Sequence, residues 1–197
     1  MAPTRFTEAE YLALERASEH KHEFIDGAIV AMAAARPAHN ILAANITASL
    51  VMLTRGKGCV TMTSDQRVHV PATRLYTYPD VVVACGEQRY GEGDPPSLLN
   101  PTALVEVTSD STEDFDRGRK FLHYQSIAEL LEYVLVSHRE RRLDHFRREG
   151  DGQWHLTTVT RDDATLTLPS LGGTVRLGDV YAGVELDEKR PSSAPSR

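Results

Sequence analysis

The chain has 197 residues, of which 41% are hydrophobic and 25% charged, and a formal net charge of −6. This length fits one domain of ordinary size, the composition is that of a globular protein, and no apolar run approaches the roughly 20 residues of a membrane span. A net negative chain is also a poor general coat for nucleic acid, because such binding depends on neutralising phosphates.

The N-terminus lacks the basic start and apolar middle of a secretory signal, so a cytoplasmic location is expected. Thr7 and Glu10 form a capping box, and Tyr11, Leu12 and Leu14 supply the stripe of a helix ending near His20. Two β-prone runs around Asp26-Gly27 predict a hairpin. Pro37 opens a longer helix with Ile41, Leu42, Ile46, Leu50, Val51 and Leu53 at helical spacing, stopped by Gly56 and Gly58. Four strands follow, near 59–63, 66–70, 80–84 and 103–107, with a Gly/Pro-rich loop from Gly86 to Pro101.

Asp114 to Ser126 reads as a helix with Phe115, Phe121 and Leu122 facing inward, and an apolar strand begins at 131. Alternation at Leu143–Phe146, Trp154–Val159 and Thr165–Leu168 predicts an antiparallel meander, and "VRLGDVYAG" a final helical turn. Residues 1–186 are expected to form one domain, an α+β fold with a mixed β-sheet flanked by helices, and 187–197 a disordered tail. Cys59 and Cys85 lack CxxC spacing and read as buried small hydrophobes, with a disulfide the less favoured alternative.

Asp80 and Glu106 stand out, because each lies in or beside a short Val-rich strand where an ionised side chain needs a partner. Two hard oxygen donors at neighbouring strand ends suit Mg²⁺, which binds through few carboxylates and keeps several waters. Lys120, on the helix after the second strand, would complete a set able to hydrolyse a phosphodiester. Glu113, Asp114 and Asp116 read as first-turn acids that complement the helix dipole, with Ser109, Ser111 and Thr112 as caps. Two basic clusters, Arg117/Arg119/Lys120 and Arg139/Arg141/Arg142/Arg147/Arg148, could form a cationic face or a solvated one. His22, His39 and His123 lack metal-binding spacing, so they read as surface or capping residues; His39, which opens the long helix, receives no role.

"FIDG", "PDVVV", "LVEVTSDST" and "DRGRKFLHY", in this order, resemble the Uma-two family of restriction endonuclease-like proteins within the PD-(D/E)XK nuclease superfamily. The resemblance covers roughly Phe6 to Val184 and implies a restriction endonuclease-like core, DNA as substrate, Mg²⁺ or Mn²⁺ as cofactor and a homodimer. Residue by residue it implies Asp80 and Glu106, with the Val107 carbonyl, as metal ligands, and Glu23 as a further acid. The position two after Glu106 is Thr108 rather than Lys. The resemblance implies that Lys120, in D-x-G-x-K-x-x-x-Y, takes that place, with Arg117 and Tyr124 steadying the substrate backbone. Asp110 stands where the family often has Pro. The alternatives are a nuclease fold that binds DNA or protein without cutting, which Thr108 and the net charge favour, and a structural protein whose carboxylates pair with Arg.

Overall fold

A computed structural model describes residues 5–91, 93–109 and 112–186; Asp110, the Ser111 cap and the tail from 187 lie outside them. Helix α1 (Glu8–Ala17) starts at the expected capping box and ends at Ser18. The hairpin follows as β1 (His22–Ile25) and β2 (Ala28–Ala31), with positive φ at both Asp26 and Gly27 as its tight turn demands. Helix α2 (Pro37–Thr54) has Pro at its start and buries Leu42, Ile46 and Leu50 on one face. Full burial of such side chains contributes ~1.5–3 kcal/mol each.

Strands β3 (Cys59–Thr63), β4 (Val68–Val70), β5 (Leu75–Thr77), β6 (Val81–Cys85) and β7 (Ala103–Val107) come next. The short β5 was not foreseen; it is fully buried and carries no alternation to signal a strand. Beyond β7 the expected helix is broken into α3 (Glu113–Phe115), a π-helical turn at Asp116–Lys120, and α4 (Phe121–Tyr124). The wider turn resets the helix phase, so Asp116, Lys120, Phe121 and Tyr124 are buried, whereas Leu122 faces solvent, contrary to its expected inward position.

The chain continues through β8 (Glu132–Val136), β9 (Leu143–Arg148), β10 (Trp154–Val159), β11 (Thr165–Leu168), β12 (Gly173–Arg176) and α5 (Leu177–Val180). The main sheet has the order β10-β9-β8-β7-β6-β3, antiparallel except for β7 and β8, which the π-containing segment joins as a crossover. The expected meander stops at β10, because β11 leaves the sheet to pair with β12 in a separate hairpin. A third sheet, β2-β1-β5-β4, stands beside the main one.

Alternation sorts the main sheet into two cores. Val81, Val83, Ala103, Val105 and Val107 pack with α2 and the C-terminal hairpin. Val82, Ala84 and Leu104 pack with Phe121, Tyr124 and the small sheet. Cys59 and Cys85 are directly opposed in the β3–β6 ladder, with Cα atoms 3.9 Å apart, and form a disulfide. This corrects the reduced state favoured from spacing; cross-strand register brings together two thiols 26 positions apart. No described helix is long and apolar enough to cross a membrane.

Candidate active site

The β6–β7 ladder pairs Val81 with Val105, so Asp80, just before β6, and Glu106, within β7, come to neighbouring positions at the strand ends, near enough for the Asp80 charge to act on Glu106. Their surroundings differ. Asp80 lies just before β6 with its side chain 15% exposed; its Oδ2 accepts from the Val107 amide at 2.7 Å and stands 3.3 Å from His39 Nε2. Glu106 is buried within β7; its Oε1 accepts from Tyr124 at 2.8 Å and stands 2.9 Å from Lys120 Nζ. Each carboxylate is thus anchored through one oxygen. Among the described residues, the hydrogen bonds to these two carboxylates fall on Asp80 Oδ2 and Glu106 Oε1.

The π-helical turn places Lys120 beneath the sheet, where Nζ also lies 3.0 Å from Glu23 Oε1 and 3.7 Å from Asp116 Oδ1. Glu23 enters from β1, and its Oε1 accepts from the Thr77 hydroxyl of β5. Asp116, read from sequence as a dipole-complementing acid, is buried in the same cluster; its i, i+4 spacing to Lys120 was the available signal.

Three carboxylates therefore share one ammonium, and burial is the largest influence on the protonation of each. Burial pushes Glu106 up to about 8; Lys120 opposes the rise, while Asp116, Asp80 and Glu23 add to it. Asp116 is also raised, chiefly by burial and against the pull of Lys120. Burial acts to raise Glu23 as well, but Lys120, Thr77 and the Tyr78 backbone outweigh it and hold that carboxyl low. Lys120 is held well above its ordinary range: burial favours the neutral amine, and Glu106, Glu23 and Asp116 overcome it. His39 is raised despite burial, by Asp80 and the Val107 backbone.

The remaining sequence candidates take other places. Thr108 is buried, with its hydroxyl 3.1 Å from His138 Nδ1, and the cation beside Glu106 is Lys120. Tyr124 is fully buried beneath Glu106 rather than on a surface open to a substrate backbone. Arg117 bonds Asp144 at 2.5 Å, and Arg142 holds the same carboxylate at 3.0 Å. The second basic cluster is similarly engaged: Arg139 pairs with Glu113, Arg141 with Asp162 and Arg147 with Glu149, while Arg148 caps carbonyls at the end of the crossover. His39 was passed over in the sequence because its partner, Asp80, is 41 positions away. Among the described residues, no three His, Cys, Asp or Glu side chains are placed to hold a metal ion by themselves.

Residues 8–178 match the profile of the Uma2 family, described as "Putative restriction endonuclease". Two Synechocystis proteins resemble the chain along most of their length. "Uncharacterized protein sll1609" is 34% identical over 160 residues, covering 81% of this chain and 90% of the relative. "Uncharacterized protein slr1290" is 31% identical over 175 residues, covering 89% and 90%. A crystal structure from Anabaena variabilis, described as "a putative nuclease belonging to DUF820", has the same fold, with a TM-score of 0.72 at 16% identity over 91% of this chain and 98% of that one.

Proposed function

Since the chain belongs to the Uma2 family, we propose that it is a divalent-metal-dependent DNA endonuclease whose site is built on Asp80, Glu106 and Lys120. One observation carries this reading: two carboxylates at neighbouring strand positions are each fixed through one oxygen, Asp80 by the Val107 amide and Glu106 by the Tyr124 hydroxyl, with the Lys120 ammonium beside Glu106. An all-oxygen set of two carboxylates and the Val107 carbonyl suits Mg²⁺ or Mn²⁺, which complete their shells with water and substrate phosphate. When bound, such an ion lowers the pKa of an attacking water and offsets charge on the phosphate.

The chain's own residues set up the rest. Tyr124 and Lys120 fix Glu106 from below, and Glu23 and Asp116 hold Lys120 in place. The Lys120 ammonium, kept charged by its neighbours, stabilises negative charge gathering on the attacked phosphate or orients the nucleophile. A homodimer belongs to this reading by analogy, because cutting two strands takes two active sites.

The reading is tested by incubating supercoiled plasmid with Mg²⁺ and the wild-type or Asp80→Asn protein. Asp80 is the variant of choice because its partly exposed side chain lets the fold survive. Cleavage by wild type that falls to the metal-free level in Asp80→Asn is expected; equal cleavage by both removes the site. The burial and engagement of Lys120 favour one second reading, a nuclease fold that binds without cutting. That protein would bind DNA with steep salt dependence and give no metal-dependent product.

A further inference from the structure

Both contacts of the Asp80 carboxylate fall on one atom. The Val107 amide donates to Oδ2 at 2.7 Å, and His39 Nε2 approaches the same oxygen at 3.3 Å. A carboxylate held by a single donor can still turn about its terminal bond and exchange its oxygens; a second contact from another direction fixes which one is retained. Here the second contact, at ion-pair distance, comes from outside the main sheet. His39 is the third residue of α2, in its first turn, and Leu42, Ile46 and Leu50 seat that helix against the sheet. The helix thereby delivers the imidazole to the end of β6 from a rigid element.

The ring makes little other polar use of its position. Its side chain is 19% exposed, and Nδ1 is buried with no hydrogen-bond partner among the described residues. A histidine that only tied α2 to the body would be expected to satisfy both nitrogens. Here the polar edge that finds partners is the one facing Asp80 and the Val107 backbone.

We propose that His39 is a positioning residue that, together with the Val107 amide, clamps Asp80 Oδ2 and leaves Oδ1 as the oxygen presented to the divalent cation. This inference rests on the reading of Asp80 as a cation ligand and adds a residue outside the carboxylate and lysine set. Residues that orient a metal ligand typically alter affinity 10–100-fold when lost.

The test uses Mn²⁺ alone, without DNA, titrated into the full-length chain and followed by the spectroscopic signal of the free ion. His39→Leu fills the space without a donor, His39→Ala removes both, and His39→Gln returns an amide N–H near the position of Nε2. Expected is roughly tenfold or greater weakening of Mn²⁺ binding in His39→Leu and His39→Ala, with most of it recovered in His39→Gln. Wild-type affinity in His39→Leu overturns the proposal, as does equal weakening in all three variants, which would mark a role in shape alone. Asp80→Asn separates this inference from its premise. Weak binding in Asp80→Asn with normal binding in the His39 variants removes only His39's role, whereas unchanged binding in Asp80→Asn, or none in wild type, removes the cation reading and the proposal with it.

Discussion

Asp80 and Glu106 are the same chemical group on adjacent strands of one sheet, yet they are held in opposite ways. Asp80 sits at a strand end, partly open to water, fixed by a backbone amide and a histidine from a helix that packs on the sheet's other core. Glu106 sits inside a strand, out of water, in a cluster where three carboxylates depend on one lysine. The difference separates two tasks: the buried half couples the site to the stability of the fold, and the open half can vary without unfolding it.

The sharpest way to break this comparison is to remove the buried cation. Lys120→Met leaves Glu23, Glu106 and Asp116 without their shared partner and is expected to cost ~3–5 kcal/mol in chemical denaturation. Asp80→Asn, in the open half, is expected to cost ~1 kcal/mol or less. Equal losses would erase the distinction. Tyr124→Phe removes the hydroxyl that donates to Glu106 and is expected to cost ~0.5–1.5 kcal/mol, the net range of a neutral hydrogen bond, because burial keeps Glu106 protonated near pH 7.

A separate handle on the buried half is pH. Glu106 titrates near 8 in the folded protein against an ordinary value of 4.5. Between these values the folded chain holds a proton that the unfolded chain has released, so Glu106 weakens the fold as pH rises through that window and has exerted its full cost above it. Glu106→Gln removes that dependence. Denaturation at pH 5, 6.5 and 8 should show the variant gaining on wild type with each step; a constant difference would mean that burial does not raise this group.

Much of this arrangement was legible in the sequence, for local reasons. The Thr7–Glu10 box and the Val-rich run at 103–107 encode their own conformations, and β7 falls on the expected residues. Acids in apolar strands announced Asp80 and Glu106, because burial of a charge is costly wherever the chain leads. What stayed hidden depends on the third dimension. The π-helical turn that swings Asp116 and Lys120 inward has no pattern distinct from an α-helix, so Leu122 was placed on the wrong face. The Cys59–Cys85 bond and the His39–Asp80 contact both require knowing which strand or helix end meets which. β11 reads as one more strand of a meander until β12 offers it a closer partner.

The most direct test is crystallographic: wild-type crystals soaked in Mn²⁺, with the ion located by its anomalous scattering. A peak within bonding distance of both Asp80 Oδ1 and Glu106 Oε2 is predicted. A peak elsewhere, or a site in which Lys120 remains and no ion enters, would contradict the assignment of these two carboxylates as a shared cation site.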